Sequence, residues 1–132
     1  MKKNKFEGTI FDLSEKHVAI FGGSGQIGIN TTEILLDAGA NVRVFDVISE
    51  TSFQKKFNDN MSSFFESGKL SYVQIDITNE DSVKNSSDLY AVTGIDVIIN
   101  HVHYKGSPEE LIPNGDFFKN LENYSFDIWK KT

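Results

Sequence analysis

The residues whose types and spacing promise chemistry begin at "GGSGQIG", 22–28. Gly22, Gly25 and Gly28 stand three apart, after the apolar run "HVAIF" and ahead of a helical pattern. A glycine turn between a strand and a helix suits phosphate. Gly22 lets the chain turn out of the strand, Gly25 keeps side-chain atoms from between backbone and ligand, and Gly28 permits close packing of the helix. The free N–H groups of the helix start would then face a pyrophosphate, helped by the helix dipole. Ser24 offers a further hydroxyl donor. Alone, the spacing equally fits a tight turn without ligand.

Asp46 gives the turn its context. It ends a second apolar run, 18 residues beyond Gly28, where a carboxylate can accept hydrogen bonds from the adenosine ribose of a dinucleotide. The same carboxylate would repel a 2′-phosphate, and neither 21–31 nor 45–54 holds an Arg or Lys to receive one. NAD is therefore expected, with NADP disfavoured. No Gly-Lys-Ser/Thr follows the glycines, which excludes a P-loop. An S-adenosylmethionine-dependent methyltransferase also uses a glycine turn and an acidic strand end, and stays open.

The elements that must hold these residues alternate. "HVAIF" (17–21), "NVRVFDV" (41–47), "LSYVQI" (70–75) and "IDVIIN" (95–100) read as buried strands of a parallel sheet covered on both faces. Helices are expected between them. The first presents Ile27, Thr31, Ile34, Leu35 and Ala38 on one face. The second does the same with Phe53, Phe57, Met61, Phe64 and Phe65. The third covers about 79–92, with Val83, Leu89 and Tyr90 inward. Gly39, Gly68 and Gly94 each stand between a helix and the next strand, where a left-handed residue ends a helix. Right-handed crossovers make this β-α-β-α-β-α-β pattern a Rossmann-like doubly wound sheet of order 3-2-1-4.

Composition sets the class. The chain has 132 residues, 39% of them hydrophobic and 24% charged, the measure of one soluble domain. A single domain over 1–132 is expected, with a long loop at 101–124 and the start of a helix at 125–132, capped by Ser125. The chain has no cysteine, hence no disulfide framework. A net charge of −6 argues against a nucleic-acid or anionic-membrane partner. No apolar run approaches the ~20 residues of a membrane span, and the N-terminus has no apolar h-region. A cytoplasmic location is expected. His101 and His103, two apart, would share a face in a strand, but two ligands do not complete a metal site. Glu109 and Glu110 read as a solvated first turn, and Trp129 with the phenylalanines of 53–65 as core.

With these residues in place the sequence resembles the short-chain dehydrogenase/reductase family over most of its length. "DLSEKHVAIFGGSGQIG" is similar to the family's opening, with Phe21 where a threonine is usual and Gln26 where the classical subfamily has glycine. "QIDITNEDSV" resembles the segment after strand three, which implies adenine contacts for Asp76 and Ile77. The other reading is that Asp76 and Thr78 start the next helix; the two are compatible. "IDVIINHVHYKG" resembles the fourth strand and its Asn-Asn-Ala-Gly motif, Asn100 matching the first Asn and His101, Val102 and His103 departing from the rest. The resemblance implies a cofactor-binding set of Gly22, Ser24, Gly25, Gln26, Ile27, Gly28, Asp46, Asp76, Ile77 and Asn100.

The family's chemistry needs a Tyr followed four residues later by Lys. Here Tyr72, Tyr90, Tyr104 and Tyr124 are followed at that distance by Asp76, Gly94, Pro108 and Ile128. The resemblance thus implies the nucleotide-binding half of an oxidoreductase, with no turnover expected from this chain alone. A non-catalytic nucleotide-sensing or interaction module and a methyltransferase-like domain are the alternatives. Strand four would be an apolar sheet edge, so a homo-oligomer is expected, or the 101–118 loop folded over that edge.

Overall fold

A computed structural model describes residues 4–57, 61–91, 94–103, 111, 119, 121–123 and 126–130, with backbone alone at 87–91, 121, 128 and 129. Most of the expected loop over 101–124, with the Glu109–Glu110 pair, lies outside the described residues, as do Ser125 and the Trp129 side chain. Two compact units are present, Met1–His101 and Val102–Thr132. The second contributes a 3-10 turn at Leu121–Asn123 and a short helix at Phe126–Trp129.

In the first unit, β1 (His17–Phe21), β2 (Asn41–Asp46), β3 (Leu70–Gln74) and β4 (Val97–Asn100) form one parallel sheet. Its order is β3-β2-β1-β4, as the crossover rule predicts. Between the strands run α1 (Gln26–Asp37), α2 (Glu50–Gln54), α3 (Ser62–Glu66) and α4 (Glu80–Ala91). Alternate residues of the strands feed the two faces. Val18, Ile20, Val42, Val44 and Leu70 pack with Leu36, Phe53, Met61 and Phe64 on one side. Ala19, Phe45 and Ile75 pack with Phe21 and Val73 on the other.

Gly39, Gly68 and Gly94 have φ of +92°, +74° and +67°. That left-handed conformation returns the chain from each helix to the sheet.

Two helical expectations are corrected. The second helix is two short ones, and the chain between them carries the polar run at 58–60, outside the described residues. Its aromatic content still reaches the core: Phe53, Met61 and Phe64 are all buried. In α1 the buried stripe is Gly28, Thr32 and Leu36, whereas Ile27 and Ile34 are exposed. Leu35 packs against the core and Ala38 is buried, as expected. Gly28 faces inward because the first turn of α1 rests on the glycine loop, and Thr32 Oγ1 donates back to the Gly28 carbonyl at 2.8 Å.

Candidate nucleotide-binding site

The register brings the expected site residues to the carboxyl ends of the strands. Phe21 pairs with Phe45 and with Asn100, and Asp46 with Gln74. This is where open α/β sheets hold ligands. The chain leaves β1 through Gly22, φ +75°, whose N–H donates to the Phe45 carbonyl at 2.8 Å.

The glycines do different work. Gly25 is the N-cap of α1, and a Cβ there would meet only the Gly22 carbonyl oxygen at 3.5 Å. Its outer side is therefore open. Gly28 cannot carry a side chain: its Cβ would lie 2.5 Å from Gly23 Cα and 2.6 Å from the Gly22 oxygen. The close approach is thus to the turn rather than to the sheet. Gly23, which sequence reading did not single out, makes the sheet contact, since its Cβ would fall 2.5 Å from Val44 Cγ1. The first turn of α1 carries no acidic residue. Its N–H groups, at Gln26, Ile27 and Gly28, lack intrahelical acceptors as every helix start does.

Asp46 is tied into this turn. Its Oδ2 accepts from the Ser24 amide at 2.9 Å and the Ser24 hydroxyl at 2.5 Å, and its Oδ1 accepts from the Val47 amide at 2.7 Å. Ser24 is buried, at 5% exposure. Its hydroxyl, expected as a donor to phosphate, spends its proton on Asp46 instead. A carboxylate offers about four acceptor positions, so Asp46 keeps about one for a ribose hydroxyl.

Other groups hold the Asp46 turn. Tyr72 OH donates to the Ile48 carbonyl at 2.6 Å and reaches the Asp46 carbonyl at 3.2 Å. Burial, then the charges of Asp46 and Glu50, push this phenol above its ordinary value. Gln74 Nε2 donates to the Val47 carbonyl at 3.0 Å. Just past α2, Lys56 Nζ donates to the Ser24 carbonyl at 2.9 Å. Sequence reading missed Lys56 and Tyr72. Lys56 lies two residues beyond the window searched for cations, and Tyr72 carried no signal beyond that of a strand residue.

On the neighbouring strand end, Asp76 Oδ1 accepts from the Thr78 amide at 2.9 Å and the Thr78 hydroxyl at 2.6 Å. Those bonds hold its carboxyl below the usual range. The cap of α4 is Asn79, whose Oδ1 accepts from Ser82 N at 3.0 Å. Asp76 therefore shapes the turn ahead of the helix rather than starting it. Ile77 is exposed. Past Asn100, the His101 amide donates to the Phe21 carbonyl at 2.8 Å. The His101 ring Nε2 lies 3.1 Å from Thr31 Oγ1 on α1. His101 and His103 belong to no group of three metal-ligating side chains among the described residues. No described helix is long and apolar enough to cross a membrane.

Comparison with known proteins agrees with this architecture. The family model described as "NAD dependent epimerase/dehydratase family" matches residues 18–130. A 2,5-dichloro-2,5-cyclohexadiene-1,4-diol dehydrogenase of Sphingobium indicum is 34% identical over 92 residues, covering 68% of this chain and 34% of its own length. The chain thus spans about a third of that relative. The crystal structure of gox2181 aligns with a TM-score of 0.56 at 26% identity, over 68% of this chain and 34% of that one. A short-chain dehydrogenase/reductase of Brucella melitensis, titled glucose/ribitol dehydrogenase, shares the fold: TM-score 0.63, 18% identity, 92% of this chain and 46% of that one. Sheet order, glycine turn and the matched model together establish that the chain belongs to the NAD-dependent epimerase/dehydratase family, among the short-chain dehydrogenase/reductase proteins.

Proposed function

We propose that this chain binds a nicotinamide dinucleotide, NAD in preference to NADP, as the cofactor-binding half of an oxidoreductase. One observation carries the reading: the open side of Gly25 at the start of an acid-free helix, with a carboxylate on the adjoining strand end. The N–H groups of Gln26, Ile27 and Gly28 would hold the pyrophosphate beside Gly22 and Gly25. Ser24 supports that turn through Asp46. The remaining acceptor position of Asp46 would take a ribose hydroxyl, Asp76 and Ile77 would border the adenine, and Asn100 would line the second ribose. The bound cofactor supplies hydride chemistry.

What these residues do is bind and orient. None of the four tyrosines has a lysine four residues on, so the chain by itself is expected to bind without turnover. We also assign it a cytoplasmic location and self-association through β4, which among the described residues pairs only with β1 and leaves Ile98 66% exposed.

Calorimetry with NAD, NADP and S-adenosylmethionine tests the binding. NAD is expected to bind most tightly, and Asp46→Ala to weaken it at least tenfold. Absence of binding to either dinucleotide overturns the proposal. Preserved binding in a non-reacting chain also suits a nucleotide-sensing module, and reduction or oxidation by the purified chain would exclude that second reading.

A further inference from the structure

A line of hydrogen-bonding groups runs from the end of β4 to the first turn of α1. The His101 amide donates to the Phe21 carbonyl at 2.8 Å, which pins His101 beside the end of β1. From there the ring Nε2 lies 3.1 Å from Thr31 Oγ1, and Thr31 Oγ1 donates to the Ile27 carbonyl at 2.9 Å. A hydroxyl has one proton. Spent on Ile27, it leaves Oγ1 as an acceptor, so the ring donates from Nε2. The relay therefore passes from His101 Nε2–H through the Thr31 hydroxyl to the Ile27 carbonyl. That carbonyl shares a peptide unit with the Gly28 N–H, and the two are conjugated through the C–N bond.

We propose that His101 is a positioning residue for phosphate binding, acting through Thr31 on the Ile27–Gly28 peptide. The inference rests on the dinucleotide reading above, in which the Gly28 N–H is one of the pyrophosphate donors. A bond donated to a carbonyl draws charge across its peptide and makes the N–H on the far side a stronger donor. Hydrogen bonds in a chain strengthen one another in this way. Thr32 makes the corresponding bond one residue on, to the Gly28 carbonyl at 2.8 Å. The N–H of that peptide belongs to Ile29 and is spent inside the helix, on the Gly25 carbonyl at 2.9 Å. Only the Thr31 bond therefore ends on a peptide whose N–H belongs to the phosphate-facing set. His101 departs from the motif that Asn100 begins, and this role needs no contact between its ring and the cofactor.

The test pairs calorimetry of NAD binding with NMR of the ring and amide nitrogens, for the starting chain and for His101→Leu, His101→Gln and Thr31→Val. At about pH 8.5, where imidazoles are neutral, the His101 ring should carry its proton on Nε2. His101→Leu is expected to weaken NAD about fivefold, the effect of one hydrogen bond, and to move the Gly28 amide proton to higher field. His101→Gln, whose side-chain amide can donate to Thr31, should restore the Gly28 signal and keep the affinity within about twofold of the starting chain. Joining His101→Leu to Thr31→Val should weaken NAD no further than Thr31→Val alone, because either change breaks the same relay. A ring proton on Nδ1, an affinity unmoved by His101→Leu, or a loss that His101→Gln does not restore overturns the role of His101 and leaves the dinucleotide reading standing. Failure of the starting chain to bind NAD or NADP overturns both. Thermal unfolding identifies a variant that does not fold. Should that be His101→Leu, Thr31→Val decides: a fivefold loss with the shifted Gly28 signal supports the relay, and an affinity within about twofold of the starting chain overturns it.

Discussion

Asp46 Oδ2 takes two hydrogen bonds from one residue, the Ser24 amide at 2.9 Å and the Ser24 hydroxyl at 2.5 Å. The end of β2 and the glycine turn after β1 are therefore one rigid object, joined by a charged acceptor in a partly buried setting. Hydrogen bonds to a charged group contribute about 1.5–3 kcal/mol each. Ser24→Ala removes the hydroxyl bond and keeps the amide bond, so a stability loss of about 1–2 kcal/mol is expected in urea unfolding. Asp46→Ala removes both. If the two residues act as a unit, the double variant loses less than the sum of the single losses. Strict additivity would show that the pair is not coupled.

The glycines of the turn separate stability from binding. Gly28→Ala puts a methyl 2.5 Å from Gly23 Cα, against backbone that cannot rotate away. Overpacking of this kind costs about 1–3 kcal/mol, and both the unfolding midpoint and nucleotide affinity should fall. Gly25→Ala meets only a carbonyl oxygen at 3.5 Å, and the residue's φ of −72° suits alanine. Its midpoint should stay within about 0.5 kcal/mol of the starting chain, while the affinity for NAD falls at least tenfold. Equal affinity losses with no difference in midpoint would contradict this division of labour.

Much of the site's frame was legible in the sequence. Near-continuous apolar runs and the glycines at 39, 68 and 94 encode strands and helix ends locally, and crossover handedness turns that order into β3-β2-β1-β4. The illegible parts are tertiary. Nothing local to Ser24 says that its hydroxyl will find Asp46, 22 residues away. Lys56 follows the last turn of a helix that its own sequence makes look longer, so its reach to Ser24 depends on where α2 stops. The spacing of glycines 22, 25 and 28 is visible. Gly23 was overlooked because its reason for being glycine is Val44 on the next strand. In α1 the apolar spacing placed Leu35 and Ala38 correctly but not Ile27 and Ile34, because the first turn presents Gly28 to the glycine loop and turns those two outward.

Tyr72 supports the site from the sheet side. Its hydroxyl bonds the Ile48 and Asp46 carbonyls, and its ring stacks on Phe53 with centroids 4.4 Å apart. Tyr72→Phe keeps the stacking and deletes the bonds, leaving the Ile48 carbonyl short of its donor. A destabilisation of about 1–2 kcal/mol is expected. Nucleotide affinity should fall severalfold, because the Asp46 turn loses a tether. Tyr72→Leu, which also removes the aromatic stack, should cost more stability. An unchanged midpoint in Tyr72→Phe would show that the tether carries no weight.

Acid stability follows from three carboxylates held by different partners. Asp12 accepts from the Gly8 amide at 2.9 Å, the Ser14 amide at 3.0 Å and Asn4 Nδ2 at 2.7 Å. The Gly8 bond leads in holding its carboxyl below the usual range, followed by the bonds from Ser14. Thr78 does the same for Asp76, and the His17 amide, at 2.8 Å, for Asp96. Each group binds its proton less readily folded than unfolded. Its contribution is therefore complete above the unfolded value of about 3.9. It is lost as pH falls through the lower folded value, because the unfolded chain takes up protons first. The thermal midpoint should thus be flat from about pH 6 to 5 in this respect and fall steeply below about pH 4. Asp12→Asn should lower the midpoint at pH 6 and make the acid fall shallower. The two curves should draw together as pH falls below about 4, because the unfolded chain takes up a proton at Asp12 while the folded chain still holds the carboxylate. Parallel curves, separated by the same interval at every pH, would show that the Asp12 carboxylate works through its shape and not its charge.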